Sequence, residues 1–470
     1  RVDIVEETIT SIVNILSVNA QRLVSLDVCD LLQRALITHY DHVNVILACF
    51  RAICALEEFG EAVRVANIPR AVVEAMKRHM KSSESVLEWG CLAISSMVDN
   101  HRNKEIVVTS GACEVVVASL QRGTGSGDTL VAAMLHRSIG SQSLALAACT
   151  AVHKLGMDND ANRERLGTLG ACEAVTKVLQ KYADSDEVAG VSCRAVATLS
   201  QNDDRESTMK LINAGVCKLV VSVLQCHHSS RLVALWGCRA VDQLSNGRET
   251  VAVKMSGSGV CAAVVACMQG HPDSADVITA GCKAIRTLSR FSRNVPILGS
   301  VGACDVLVFA IHLCFFDEVT VEAACIAVSR LARDFTNAKR LCEVDTCTAL
   351  VCVVCRHNTN LMVSRAAWEG ILALCHHSDG CKAFADAGLC QHIAGSFLRT
   401  ADGEEWREVV RTCLNIIPLL CTNNPSTKAL FIDNDILEGL DRVRNSYIND
   451  NSTENTIPSS AEDVKSLFLG

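Results

Sequence analysis

Apolar residues recur at helical spacing along this chain, in units that resemble one another. In the segment 188–199 the apolar positions recur three or four residues apart, which predicts an amphipathic helix with one buried face. A polar break at 200–204 and a short amphipathic turn follow, and a second apolar helix begins after Gly215. The residues that share the buried face of the first helix are Val188, Val191, Ala195, Val196 and Leu199.

Two sequence anchors repeat in phase and divide the chain into units. The first is a cysteine followed by x-Ala-Val or a close variant; its step is 58 residues from Cys91 to Cys149 and 42 to 45 residues elsewhere. The second is Gly-x-Cys, whose cysteine lies 22 to 24 residues after the first anchor. Because glycine adopts positive φ without strain, each glycine is predicted to mark a corner between two helices. The first anchors are Cys49, Cys91, Cys149, Cys193, Cys238, Cys282, Cys325 and Cys413, with Trp368 in this place once. The second anchors are Gly111, Gly170, Gly215, Gly259, Gly302 and Gly388, with Asn67, Asp345 and Asn434 as weaker equivalents.

The period and the three-helix rhythm resemble the armadillo repeat. Asn162 and Arg163, followed by Gly170 and Ala171, are very close to the Asn-Arg-x-x-Ile…Gly-Gly/Ala signature of that family. The resemblance covers about residues 20–445. It implies an all-α fold, a right-handed α-solenoid of about nine or ten three-helix repeats.

The solenoid is expected to span residues 1–447, with a loop insertion at about 122–139 and a polar C-terminal tail at 448–470. The Gly/Ser-rich start of the insertion is typical of a flexible loop and accounts for the one long step. Near the end of the tail lies a small apolar cluster, which we expect to dock either on a partner or on the last repeat. Its members are Val464, Leu467, Phe468 and Leu469.

Composition narrows the classes of partner. The net charge is −8 and the pI is about 6.0, which argues against a general nucleic-acid binder, because phosphate neutralisation needs a basic surplus. The sequence contains no apolar run of about 18 residues, so no membrane insertion is expected. The 26 cysteines recur at helical core positions, where a reduced thiol acts as a small hydrophobe. A reducing, intracellular compartment is therefore predicted.

Motifs for catalysis and cofactors are weak, and neither an enzyme nor a cofactor or small-molecule substrate is predicted. The glycine-rich segment after Gly123 lacks the Lys-Ser/Thr of a phosphate loop. A zinc site is conceivable from Cys347, Cys352, Cys355 and His357, but the continuous apolar helix at 349–355 favours core packing of these thiols. The pairs His227-His228 and His376-His377 fall at loops between helices, where exposed histidine is ordinary. Trp89, Trp236 and Trp368 are predicted to pack in the core.

A row of cations is the candidate binding surface. The resemblance implies that third helices line a concave groove, where importin-α-like members carry rows of Trp and Asn. This chain departs from that pattern, since Arg194, Arg239 and Lys283 stand at the Trp position of three successive repeats. A basic wall attracts acidic ligands, so an acidic or extended peptide is predicted to lie across residues 190–335; the alternative is an ordinary solvated helix face. The predicted contact residues are Arg194, Arg239, Lys283, Arg286, Arg290, Arg330 and Arg333.

These observations favour a non-catalytic protein-interaction scaffold, an adaptor or a structural subunit of a larger assembly. Two alternatives stay open: a cargo receptor similar to importin-α, and a metal- or redox-sensing helical module. By family resemblance the expected location is the cytoplasm, including a cytoskeletal or ciliary assembly.

Overall fold

The computed structural model describes residues 2–24, 27–56, 67–99, 101–123, 141–201, 205–400, 404–424, 426–447 and 456–469. In these residues the chain forms 29 α-helices, two short 3-10 turns and no β-strand. The predicted all-α array of three-helix repeats is confirmed. The chain divides into two compact units, 1–244 and 245–470.

The helices of the first unit are α1 Val2–Val24, α2 Val28–Thr38, α3 Val43–Ala55, α4 Ile68–Arg78, α5 Glu84–Asp99, α6 His101–Thr109, α7 Ala112–Gly123, α8 Gln142–Gly156, α9 Asp160–Thr168, α10 Ala171–Lys181, α11 Asp186–Leu199, α12 Arg205–Asn213, α13 Val216–Cys226 and α14 Arg231–Ser245, the last ending at the boundary. Those of the second unit are α15 Glu249–Gly257, α16 Val260–Gly270, α17 Ala275–Leu288, α18 Val295–Ser300, α19 Ala303–Leu313, α20 Glu318–Leu331, α21 Phe335–Glu343, α22 Thr346–Arg356, α23 Leu361–Cys375, α24 Ser378–Asp386, α25 Leu389–Thr400, α26 Arg407–Asn423, α27 Thr427–Ile432, α28 Ile436–Tyr447 and α29 Ile457–Leu469.

The repeat made of α9, α10 and α11 shows how local sequence sets these boundaries. The side chain of Asn159 accepts a hydrogen bond from the backbone N–H of Asn162 (2.9 Å) and begins α9. Gly170, at φ 92°, separates α9 from α10. Ser185 caps α11 in the same way as Asn159 caps α9. In this repeat α9 and α11 therefore begin at a capping side chain, whereas α10 begins at a left-handed glycine that turns the backbone.

The predicted glycine corners are confirmed, because all six glycine anchors have φ between 81° and 94°. Asn67 and Asp345 adopt the same left-handed conformation at φ 54° and 62°. The expectation for Asn434 was off by one residue: Asp435, at φ 58°, directly precedes α28, while the side chain of Asn434 donates to the backbone oxygen of Leu430. The left-handed residue must be the one immediately before the second helix.

Within each unit, equivalent helices of successive repeats pack on one another. In the first unit the third helix α8 packs between α5 and α11. In the second unit α20 packs between α17 and α23, and α23 packs on α26. The cysteines of the first anchor are buried, and those of the helices named here include Cys91, Cys149 and Cys325. Burial raises the pKa of the thiols of Cys91, Cys149 and Cys325 to about 12, so they are protonated and act as small apolar groups.

Two predicted segments have different outcomes. Most of the insertion falls on residues 124–140, which lie outside the described residues. In the region expected to be a polar tail, α29 packs against α26 and α28, with Ile457, Ala461 and Val464 buried. The ring of Phe468 lies 5.9 Å from that of Phe431 in an edge contact. The apolar cluster was predicted to dock either on a partner or on the last repeat. In the structure Val464 and Phe468 pack on the last repeat.

In the described part of the chain, no single helix has the length and apolar character needed to cross a membrane. Three bent helix pairs meet these criteria by length and composition only: Glu206–Asn213 with Val216–Cys226, Glu249–Gly257 with Val260–Gly270, and Ser292–Ser300 with Ala303–Leu313.

Candidate partner-binding surfaces

The seven predicted contact residues fall into two groups, one in each unit. Arg194 on α11 and Arg239 on α14 belong to the first unit. The second unit contains the other five, of which Lys283, Arg286 and Arg290 lie on or just after α17. Arg330 lies at the end of α20 and Arg333 follows two residues after that helix. All seven are half-buried or exposed, so each has access to solvent.

Four arginines of the second unit interact electrostatically and form what we call the arginine cluster: Arg286, Arg290, Arg330 and Arg333. The half-buried Arg330 is held in place because its Nη1 donates to the backbone oxygen of Arg286. Burial lowers the pKa of Arg330, and the positive charges of Arg286, Arg290 and Arg333 lower it further. Glu369 on α23 opposes this effect. The cluster therefore concentrates positive charge from two successive third helices.

The arginine cluster lacks a close counter-charge within the described residues. None of its four side chains, nor Lys283, has a carboxylate oxygen within 4.0 Å there. Glu369, the carboxylate that offsets the charge of Arg330, lies 4.0 Å from Arg365 on its own helix. Like charges held together in a half-buried position repel one another, and a bound anion relieves that repulsion. Guanidinium groups bind carboxylates through paired N–H donors, so acidic side chains fit this surface.

In the first unit the two cations flank a tryptophan, and we call this group the Trp236 platform: Trp236, Arg194 and Arg239. The guanidinium carbon of Arg239 lies 4.6 Å from the ring centre of Trp236, and that of Arg194 lies 5.8 Å from it. Nη2 of Arg194 donates to Oγ1 of Thr150 (3.1 Å), while its Nε is buried without a partner in the described residues. Burial lowers the pKa of Arg194.

His153 packs against the tryptophan of this platform. Its ring contacts Trp236 edge-on at 5.3 Å between centres, and its Nδ1 lies 2.6 Å from Oγ1 of Thr198. Burial lowers the pKa of His153 to about 3, and Arg194 and Lys154 contribute to the shift. The imidazole is therefore neutral at physiological pH and adds no charge to the platform.

The prediction that three tryptophans pack in the core is correct for Trp368 alone, which is 3% exposed. Trp89 and Trp236 are only half-buried, and each meets an arginine of the preceding third helix. Arg51 lies 4.9 Å from the ring centre of Trp89, as Arg194 lies beside Trp236. The sequence contains a signal for these pairs, since both arginines precede Ala-Ile or Ala-Val and both tryptophans lie two residues before an anchor cysteine.

The four potential zinc ligands do not converge on one point. Cys347 is buried, Cys352 is exposed, and Sγ of Cys355 lies 3.2 Å from Nδ1 of His392. Nε2 of His357 instead lies 2.8 Å from the backbone oxygen of Phe315. The prediction of core packing is wrong for Cys352 and only partly right for Cys355, because α22 buries the face that contains Leu350, Val353 and Val354 and turns Cys352 outward.

Histidines at the ends of second helices link successive repeats, a feature that sequence reasoning missed. His227 was expected to be an ordinary loop residue, but it is half-buried and His228 is the exposed neighbour. The sequence signal is the recurrence of histidine just after a second helix. The Nε2 contacts with backbone oxygens of the preceding repeat are His79 to Tyr40 (2.7 Å), His227 to Ala183 (2.7 Å) and His357 to Phe315 (2.8 Å).

Comparisons with known proteins agree with this architecture. The family model for the LRRK2 ARM repeat matches residues 149–376. An engineered protein of known structure superposes with a TM-score of 0.70 at 16% identity, over 93% of this chain and 99% of that one. A structure from a study of the phosphorylation switch that controls the interaction between cadherin and beta-catenin superposes with a TM-score of 0.51 at 13% identity, over 94% and 90% of the two chains. A search of curated proteins gave no match.

The structural similarities are below 25% identity and show the fold alone. The family model is independent of these superpositions, because it matches the amino-acid sequence of residues 149–376. Together with the two anchor ladders and the stacked three-helix repeats, these matches show armadillo (ARM/HEAT-like) repeats in residues 149–376 and an armadillo-type three-helix fold in the described residues.

Proposed function

We propose that this protein is a non-catalytic scaffold, adaptor or structural subunit, and that its arginine cluster binds an acidic, extended segment of a partner protein. Armadillo repeats are generally protein-interaction scaffolds and typically non-catalytic, which supports the first half of the proposal. The observation that carries the second half is four mutually repelling arginines without a close carboxylate in the described residues.

The Trp236 platform is proposed as a second contact for acidic side chains, independent of the first. Arg239 is exposed beside a half-buried aromatic ring, so a partner carboxylate could pair with it while the partner's apolar atoms cover Trp236. Lys283 is assigned to the same class of contact. We also propose a reducing, cytoplasmic location, including cytoskeletal or ciliary assemblies, because an array of buried thiols is suited to a compartment that keeps them reduced.

Charge reversal at the exposed edge of the arginine cluster tests the proposal. The double variant Arg290→Glu/Arg333→Glu leaves the half-buried Arg330 in place and should weaken binding of a fluorescein-labelled Glu-rich peptide at least about tenfold in fluorescence anisotropy. Affinity of the unaltered protein should fall with added salt, since the contact is between exposed charges.

The matched control is Lys339→Glu/Lys382→Glu, which makes the same change of net charge at exposed positions of α21 and α24, outside the cluster. This control should retain most of the affinity. Equal loss in both double variants would show only an effect of net charge and would end the assignment to the cluster. Preference for a Lys-rich peptide would instead favour the cargo-receptor alternative.

A further inference from the structure

The thiol of Cys355, in the second unit, lies next to a histidine side chain. Cys355, in the last turn of α22, is half-buried, and its Sγ lies 3.2 Å from Nδ1 of His392 on α25. The two helices belong to successive repeats and pack together. His392 is itself half-buried, so both residues of the pair have partial access to solvent.

Two other kinds of thiol in the same unit provide the comparison. Cys325 is fully buried, and its pKa is raised to about 12. Cys352 lies on α22 three residues before Cys355 and is more exposed, yet no hydrogen bond joins its thiol to another described residue. If exposure alone set the reactivity of a thiol, Cys352 would react faster than Cys355. If an adjacent base sets it, Cys355 reacts faster.

We propose that Cys355 is a modification site at which hydroperoxides oxidise the thiol, with His392 as the base that activates it. An imidazole within hydrogen-bond distance of a thiol takes up its proton, and the thiolate is the nucleophilic form of cysteine. The geometry of the pair, its partial solvent access and its location on two helices that pack together are the observations that carry the proposal.

The reaction balances with the hydroperoxide as the only co-reactant. The thiolate sulfur of Cys355 attacks the terminal oxygen of the hydroperoxide, an S–O bond forms and the O–O bond breaks. Sulfur is oxidised by two electrons to a sulfenic acid, and the peroxide is reduced to an alcohol or water. The leaving oxygen takes the proton that the imidazolium of His392 holds.

The experiment compares two thiols of one helix in the full chain. The protein is exposed to a substoichiometric amount of hydrogen peroxide, sulfenic acid is trapped with dimedone, and labelling of Cys355 and Cys352 is measured by peptide mass spectrometry. Cys355 should be labelled at least about tenfold faster than Cys352, although it is less exposed. The variant His392→Gln should reduce the rate at Cys355 by a similar factor and leave the rate at Cys352 unchanged.

Glutamine keeps a polar group near the thiol but cannot take up its proton, so this variant separates activation from packing. If His392→Gln opened α22 or α25 locally, both thiols would react faster, and that result would overturn the proposal. A wild-type rate at Cys352 that equals or exceeds the rate at Cys355 would also overturn it. This experiment measures thiol oxidation and not peptide binding by the arginine cluster. Its failure would therefore leave the proposed scaffold function untouched.

Discussion

At the scale of single residues, burial decides what ionisable and sulfur-containing side chains can do in this chain. Anchor cysteines such as Cys149 have strongly raised pKa values and serve as small core residues. His153 is forced into its neutral form by burial and by neighbouring cations. Arg330 is half-buried yet stays charged, because the pKa of a guanidinium is far above physiological pH, and one of its N–H groups donates to a backbone oxygen. The degree of burial therefore decides how far the pKa of each of these side chains is shifted.

His153 predicts a pH dependence of stability with a definite sign. Its pKa is about 3 in the folded chain and 6.5 in the reference state, so between these values the unfolded chain binds a proton that the folded chain does not. The free energy of unfolding should fall as the pH drops from about 6.5 towards 3, and His153 should contribute no pH dependence above that window. Urea titrations of His153→Gln across this range should show a shallower decline than the parent. The variant of the exposed His376, His376→Gln, should match the parent.

Gly215 tests the requirement for a left-handed residue at the helix corners. Its φ is 90°, and a Cβ added there would meet no heavy atom within 4 Å, so any cost of Gly215→Ala comes from the backbone conformation. Thermal and urea unfolding should show a loss of about 1–2 kcal/mol. Gly257→Ala is the control, because that site has equal space but no positive φ. A similar loss in the two variants would contradict the interpretation.

At the scale of helices, the repeats are joined by polar contacts as well as by apolar stacking. The histidine contacts at the ends of second helices satisfy backbone oxygens of loop residues, which follow the second helix of the preceding repeat. The Arg51–Trp89 and Arg194–Trp236 pairs connect third helices in the same direction along the chain. The histidine contacts and the Arg–Trp pairs both fix the orientation of one repeat against the next. Apolar surfaces alone define that orientation less strictly.

Removing one histidine contact should weaken the stacking of two repeats. His227→Ala leaves the backbone oxygen of Ala183 without its partner, and the free energy of unfolding should fall by about 0.5–1.5 kcal/mol. His228→Ala, the exposed neighbour, should have a much smaller effect. Hydrogen exchange would locate the change: protection should decrease at the ends of α10 and α13. Unchanged protection there would show that the contact contributes little.

At the scale of the whole molecule, stability accumulates from contacts between neighbouring repeats, and an outermost repeat has a face that another element must cover. In the second unit α29 covers the last repeat by packing on α26 and α28. Net charge is also distributed unevenly at this scale. The chain has a net charge of −8, yet the arginine cluster gathers cations on two successive third helices. We therefore expect the local potential, rather than the net charge, to determine which charged ligands this unit attracts.

The covering role of α29 is tested by two substitutions within it. Val464 is buried against the last repeat, and Val464→Ala should lower the free energy of unfolding by about 1–2 kcal/mol. Leu469 is 67% exposed, so Leu469→Ala should leave stability nearly unchanged. Calorimetry of the full chain measures both. Equal effects of the two variants would indicate that α29 does not dock as described.

The sequence alone was sufficient to determine the repeat, its three-helix composition and most of its corners, because these depend on local properties. Helical spacing of apolar residues and the tolerance of glycine for positive φ act within one unit of the chain, and their signal is repeated at Gly111, Gly170 and the equivalent positions. The Asn434 position was missed by one residue because Asn and Asp, adjacent there, both tolerate the left-handed conformation.

Tertiary structure decided which side chains meet. Trp236 and Cys352 lie on apolar helices whose pattern suggested the core, but the packing of neighbouring repeats leaves the first half-buried and the second exposed. The contacts of Arg194 with Trp236 and of Cys355 with His392 join residues about one repeat apart. Helical periodicity fixes which face of a helix is apolar, whereas the angle and offset between stacked helices fix how much of that face is covered and by which residue.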